Sequence, residues 1–461
     1  QVYEDEIRHV ATGLVWFTRW SEGDRLQAWE DALVPPLTVA RARGRGFDAE
    51  GRARAGFTAP EIERLRVVGG SRGRPPRVLA FDAAVEDRVA GRAPGPMAAR
   101  VTRDLAVLPL FLAGAEDVVV ARPPSTAFLT RLADAGIEVP RFVPEATREA
   151  LGPHRPHSYV PWGATPLPEP DLDALHPGSP WDPRWAALSS KSASARRARE
   201  LWSDPRGLVD EPGGVWTEVM EPGDGPWVIK APFSTSGTAR LRGQGPLDAR
   251  QRVWVERTLA RDGEVLWQPW YERVVDVSTH VTVLDEGVRL DGCSRFLTAS
   301  AGAYRGAVLG LWTRDLDRDV LRAVHDRSAG PCIRERLEEA AREAGRWAHA
   351  LGYRGPLSLD AAIVREHGAL RVHPWLETNA RSTLGRVALA LGGRTAPQTP
   401  AVWRVERHSA ALASALLEAT LDVGPEGWRS GVLPTNDPAT ADVLLTWVEV
   451  GGVGVALASP E

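Results

Sequence analysis

Over residues 1–165, short apolar runs alternate with stretches whose apolar residues recur at helical spacing. GLVWF (13–17), RVLAFD (77–82) and AEDVVVARPP (115–124) are expected as short buried strands, and AFLTRLADAG (127–136) as a helix. Such alternation predicts an α/β domain with a largely parallel sheet. No G-x-G-x-x-G stands in a strand–turn–helix context, so the pattern supports no dinucleotide site. A proline-rich stretch, PWGATPLPEPDLDALHPGSPWDP (161–183), reads as a connector or a wrapped surface segment.

Beyond it the elements lengthen. KSASARRARELW (191–202) is expected as a helix capped by Ser189 or Ser190, which puts Lys191 at its N-terminus. PWVIKAPFSTSGTARLRG (226–243) reads as a strand followed by a loop of small residues. LDARQRVWVERTLARDG (247–263) has the spacing of an amphipathic helix ending at Gly263. EVLWQPWYERVVDVSTHVTVLDEG (264–287) reads as two strands around a short crossover. RERLEEAAREAGRWAHALG (334–352) carries a stripe of Leu337, Ala341, Ala344, Trp347, Ala348 and Leu351 and stops at Gly352. LSLDAAIV (357–364) and ALRVHPWLETN (369–379), joined by a Gly-containing turn, form a hairpin that sets Asp360 opposite the 374–377 region. The tail, 401–461, is expected to hold the helix ERHSAALASALLEATLD and two late strands.

Composition narrows the class. The 461 residues carry a net charge of −4 and 43% hydrophobic residues, so neither nucleic acid nor an anionic membrane is an expected partner. No run of eighteen apolar residues occurs, and QVYEDEIRHV at the start has no signal-type apolar segment. The two cysteines, Cys293 and Cys332, show no zinc or redox spacing, which fits a reducing, cytoplasmic compartment. Among 56 basic residues only Lys191 and Lys230 are lysine. A lysine is a compact point charge suited to a single phosphate oxygen, whereas arginine is a planar fork.

Chemistry gathers late in the chain. Glu377, Asn379 and Arg381 alternate in RVHPWLETNARSTLG (371–385), so an extended chain shows all three on one face. With Asp360 across the hairpin they offer oxygen donors of the kind a hard cation takes. A buried polar cluster at a hairpin end would look the same. The loop after Lys230 has residues small enough to let backbone N–H groups approach an anion, although most Ser/Gly loops are merely turns. No G-x-S-x-G is present, and neither cysteine is placed beside a histidine. His280 and His373 fall in strand patterns and are expected to pack or hydrogen-bond. Trp270 and Trp375 lie where they could border a ligand. Arg295 and Arg305 could reach the same pocket.

In their order, SSK (189–191), WVIKAPFSTSG (227–237), VLWQPWYERVVDVS (265–278), GYRGPLSLDAAIV (352–364) and LETNARSTLG (376–385) resemble the ATP-grasp superfamily of carboxylate–amine ligases. The resemblance implies α/β and α+β architecture. A pre-ATP-grasp, Rossmann-like domain (1–185) would precede a two-lobed ATP-grasp fold (186–400; lid lobe about 204–270, metal-binding lobe about 271–400), with an extension over 401–461. It implies an ADP-forming ligase that activates a carboxylate as an acyl phosphate and joins it to an amine, of amino-acid or peptide type. Two other readings stay open: an ATP-binding regulatory protein of the same fold, and a phosphotransferase to a non-carboxylate acceptor.

Position by position, the resemblance assigns Lys191 and Lys230 to ATP phosphates. It assigns Ser234, Thr235, Ser236, Gly237 and Thr238 to the loop closing over them, and Gln268, Pro269 and Trp270 to the hinge whose backbone reads adenine. Asp276 would hold the ribose hydroxyls. Asp360, Glu377 and Asn379 would hold Mg²⁺ or Mn²⁺, and Arg381, with Lys230, would serve the transferred phosphoryl group. Many relatives carry Glu where Gln268 stands. The implied partners are ATP and small-molecule or peptide carboxylate and amine substrates, with homodimer formation compatible.

Overall fold

Four short parallel strands pair in the order β3-β2-β1-β4: β1 (Arg77–Ala80), β2 (Val118–Val120), β3 (Arg141–Val143) and β4 (Ser158–Pro161). The helix Thr126–Asp134, capped by Ser125, connects β2 to β3. Val78, Val118 and Val143 are buried in one cluster, as both-face burial of a parallel sheet requires. This is the expected α/β part. The expected strand at 13–17 is instead the interior of a helix, Val2–Trp20. Tyr3, Ile7, Val10, Leu14 and Phe17 recur every three or four residues, and that longer periodicity overrides a five-residue apolar run. The computed structural model describes residues 2–21, 25–33, 47–59, 61–62, 65, 76–151, 158–166, 181–234, 239–299, 302–328, 330–452 and 454. Most of the proline-rich stretch therefore lies outside the described residues.

The chain forms two compact units. Residues up to 161 make the first, except that Asp82–Leu105 belongs, with Trp162–Pro166 and the C-terminal part, to the second. No helix among the described residues is long and apolar enough to cross a membrane.

The second unit holds two antiparallel sheets, a smaller then a larger. The smaller runs β5-β8-β6-β7, from β5 (Gly214–Trp216), β6 (Pro226–Lys230), β7 (Arg240–Gln244) and β8 (Val265–Pro269). The helix Ala249–Asp262 covers it. Asp248 and Gln251 form a reciprocal capping box at its start, and Gly263 ends it at φ 77°. Beneath lie Trp216, Trp227, Ile229, Val255 and Val265. Gly243 is required here, because a Cβ would sit 2.2 Å from the Trp227 ring.

The larger sheet has nine strands in the order β13-β12-β9-β10-β11-β14-β17-β16-β15. Its first half is β9 (Glu272–Leu284), β10 (Gly287–Thr298), β11 (Tyr304–Val308), β12 (Gly355–Glu366) and β13 (Ala369–Asn379). The helix Ile333–Ala350 buries Leu337, Ala340, Ala341, Ala344 and Ala348 against one face. The β12–β13 turn is tight, with His367 and Gly368 both at positive φ (50° and 79°), as a two-residue hairpin demands.

The tail does not form a separate extension. β14 (Ala401–Arg407), β15 (Leu421–Gly424), β16 (Gly427–Pro434) and β17 (Leu444–Val450) continue the same sheet, with the helix Ala410–Glu418 after β14. Four strands stand where two were expected, because alternation in AVWRVER outweighs the helical reading of its last residues.

Asp104, at the end of the helix Pro96–Leu105, clamps this tail. Its buried carboxylate accepts the N–H groups of Asp442, Val443 and Leu444 at 3.1, 2.6 and 2.9 Å. Asp104→Ala strands three donors and is expected to cost about 2–4 kcal/mol in urea unfolding while leaving unchanged the ligand affinity of the cleft described below, which Asp104 does not line.

Candidate active site

Lys191 is the first residue of the helix Lys191–Ala198. Ser190 caps that helix, accepting from Ala193 N–H at 3.2 Å. A cation at this end opposes the helix dipole, so something else holds it. Its Nζ lies 3.0 Å from Glu377 Oε2 and donates to the Ser234 carbonyl at 2.8 Å; its own N–H donates to Pro232 O at 2.9 Å. Lys191 is thus tied to the root of the small-residue loop. Thr235, Ser236, Gly237 and Thr238 of that loop lie outside the described residues.

Lys230 ends β6, and its Nζ donates to Gln268 Oε1 on β8 at 2.8 Å. Burial pushes this ammonium down to about 7. Arg273, Lys191 and Arg240 push the same way, with partial relief from Glu377. The Gln268 amide is itself buried and faces Pro212 O (3.3 Å) and His373 Nε2 (3.4 Å).

On the larger sheet, pairing of β12 with β13 sets Asp360 directly opposite Glu377 and Ser358 opposite Asn379. Asp360 accepts from Ser278 and, at 3.2 Å, from Asn379 Nδ2. Burial and the facing Glu377 raise the Asp360 carboxyl far above its ordinary range. Glu377 is driven the other way: Lys191 and Lys230 overcome its burial. Arg381 follows the strand. Its Nε donates to Glu86 Oε1 at 2.6 Å and its Nη2 to Asn379 Oδ1 at 3.0 Å.

These side chains share one cleft of about 210 Å³. Its lining includes Lys191, Lys230, Ser234, Asp360, Glu377, Asn379 and Arg381. Arg240 and Arg273 line it as well, so five basic side chains and the carboxyl groups of Asp360 and Glu377 face a space of a few water diameters, with Glu86 behind Arg381 and Asp276 behind Arg273. Two carboxylates set opposite each other in a β pair repel. A hard divalent ion between them would relieve that repulsion, and the donor set fits Mg²⁺. Asn379 fits less directly as a third ligand. Its oxygen accepts from Arg381, so its amide must turn before it can face a metal. Among the described residues no group of three or more His, Cys, Asp and Glu forms a metal cluster.

Several expected placements change. Of the three hinge residues, Trp270 lines the cleft, while the Gln268 side chain is spent on Lys230. The N–H of Trp270 is already given to Pro226 O at 2.8 Å, because the chain is still pairing as it leaves β8, so that donor is not free for adenine. Asp276 is held by Arg273 (2.9 Å) and Thr298 (3.0 Å) and lines an adjoining cavity of about 630 Å³. Trp375 is a core residue, packed on Trp347 with its indole N–H on Thr378 Oγ1. A bulge between His373 and Glu377 breaks the alternation there and turns Leu376 toward the cleft. Arg305 pairs with Glu406 (3.5 Å) and does not line the cleft, whereas Arg295 lines the adjoining cavity together with Asp276. His280, between Ser358 and Ser294, and His373 are buried and held neutral, with burial pushing both down to about 3.

Arg240, Arg273, Tyr304 and Glu86 were missed. Nothing marks two arginines among so many. The Tyr304 hydroxyl is buried without a partner, and only the fold brings it to Asp360, which together with burial raises it.

No family model matches the chain, and no curated protein does. Solved structures do. Phosphoribosylamine–glycine ligase from Thermotoga maritima is 13% identical, with 82% of this chain and 92% of that one covered and a TM-score of 0.43. N5-carboxyaminoimidazole synthetase from Staphylococcus aureus, complexed with ADP, is 12% identical (81% and 92% covered; TM-score 0.41). The biotin carboxylase domain of 2-oxoglutarate carboxylase from Hydrogenobacter thermophilus, with MgADP, ADP and bicarbonate, is 12% identical (81% and 86%; TM-score 0.42). At such identities and scores these likenesses carry no weight, and the functional reading rests on the cleft.

Proposed function

We propose that this chain is an ATP-dependent, ADP-forming ligase of the ATP-grasp type, joining a carboxylate to an amine of amino-acid or peptide type. The observation that carries the reading is the make-up of the cleft, where lysines and arginines meet a pair of facing carboxylates, with Arg381 matched by Glu86 and Arg273 by Asp276. Five basic side chains converge on a site whose two carboxyl groups are posed for a divalent ion. A magnesium polyphosphate satisfies both halves at once, and neither an apolar ligand nor a plain dication does.

In this reading the phosphates lie between Lys191 and Lys230, with the nucleoside running toward Trp270 and Asp276 in the adjoining cavity. Asp360 and Glu377 would hold Mg²⁺ or Mn²⁺, with Asn379 joining once its amide turns. That ion, when bound, neutralises phosphate charge and lowers the cost of phosphoryl transfer. Arg381 and Lys230 steady the phosphoryl group in line with the incoming carboxylate. A carboxylate oxygen forms a bond to the γ-phosphorus, the bond to ADP breaks, and an acyl phosphate results. The amine then attacks the acyl carbon, phosphate leaves, and the amine gives up a proton.

ADP release is the test. Purified protein with MgATP is screened against pooled amino acids, dipeptides and polyamines, with products read by mass spectrometry. The expected result is ADP and phosphate formed only when an acid and an amine are both present. ATP binding with no turnover in any pool would favour the regulatory reading. Transfer of phosphate to a hydroxyl would favour a phosphotransferase.

A further inference from the structure

Arg381 is half-buried, and its orientation is set from far away in the chain. Its Nε donates to Glu86 Oε1 at 2.6 Å; their side chains are 17% and 7% exposed. Glu86 sits in the short helix Val85–Val89, which belongs to the same compact unit as the cleft. Burial alone would push the Glu86 carboxyl up, but Arg381 and Lys191 keep it below its ordinary value, so it stands as a carboxylate beside the guanidinium. A few residues on, Arg92 donates to Phe233 O at 2.8 Å, at the root of the loop after Lys230. The segment 85–92 thereby grips both the arginine and the loop base.

We propose that Glu86 is the positioning residue for Arg381. It holds one edge of the guanidinium so that the remaining N–H groups face the terminal phosphoryl group. The proposal rests on the ATP reading above. Arginine carries about 2 kcal/mol of rotamer freedom, and a cation next to Asp360 and Glu377 would otherwise swing onto those carboxylates and compete with the metal. The carboxylate of Glu86, the amide oxygen of Asn379 and, at 3.3 Å from Nη1, the carbonyl of Ser382 fix it, with the Glu86 contact the shortest of the three.

The test compares Mg²⁺ complexes of AMP-PNP and ADP, binding being read by calorimetry, and needs no known acid or amine. Glu86→Asp withdraws the carboxylate by one methylene, and Glu86→Ala removes it. Both are expected to weaken AMP-PNP roughly tenfold with ADP unchanged. Glu86→Gln leaves an acceptor oxygen in place and is expected to retain the triphosphate preference. In an Arg381→Ala background, Glu86→Ala should add no further loss. A merely structural glutamate would move both nucleotides together, and thermal melts identify any variant that fails to fold. Wild-type AMP-PNP affinity in both the Asp and Ala variants, or losses that multiply with Arg381→Ala, overturns the proposal while ATP binding stands. Wild-type protein that binds neither nucleotide overturns the ATP reading and this proposal together.

Discussion

Lys230→Met should cut turnover by orders of magnitude and make the ligand-free protein more stable. The ammonium has one hydrogen bond, to Gln268, and is destabilised first by burial and then by Arg273, Lys191 and Arg240, with Glu377 offsetting part of that cost. Removing it relieves that cost, expected as about 1–3 kcal/mol after the unpaired Gln268 oxygen is counted. Turnover should fall roughly 100- to 1,000-fold, because the charge that opposes the triphosphate is gone.

The pH dependence gives the effect its sign. A lysine that titrates near 7 when folded and near 10.5 when unfolded binds a proton in the unfolded chain alone between those values. Stability then rises with pH across that window, and the penalty is complete below about 7 and gone by about 10.5. The stabilisation by Lys230→Met should therefore be largest near pH 6.5 and fade toward pH 10. Thermal melts at both ends check it, and an equal or negative difference at about pH 6.5 would refute the strained-cation account.

Glu377→Gln is expected to have opposite effects on two kinds of binding. Glu377 faces Asp360 across the hairpin and holds Lys191 at 3.0 Å. Without its charge the carboxylate pair is lost as a metal site, and MgATP turnover should drop roughly 1,000-fold. The cleft also becomes one unit more positive and Lys191 is released, so ATP in EDTA should bind about tenfold tighter than to the parent protein. A plain unfolding variant would lose both. Normal MgATP turnover would show that Glu377 is no metal ligand.

Much of this cleft could be read along the chain because its parts are local. Lys191 and Lys230 stood out by composition, Ser189 and Ser190 marked the helix start between them, and the hairpin's own turn set Asp360 against the 374–377 region. The long helix 333–350 and the strands β6, β8 and β9 followed from periodicity and stop residues. Misreadings came where a longer pattern or a bulge overrode a short one, as at 13–17 and at Trp375. Glu86 could not be found this way. Its contact with Arg381 spans 295 positions, and one acid among sixty carries no local mark.

Spacing and residue type alone settled which donors exist: two lysines, a strand-end acid and amide, and a hairpin that aligns two carboxylates. Tertiary structure decided which of them share a space, which arginines join them, and that Glu86 orients Arg381. The division has a physical cause. Periods of 2.0 and 3.6 residues fix which way neighbouring side chains point, whereas burial beside a distant charge depends on packing between elements, and no short stretch of chain encodes that.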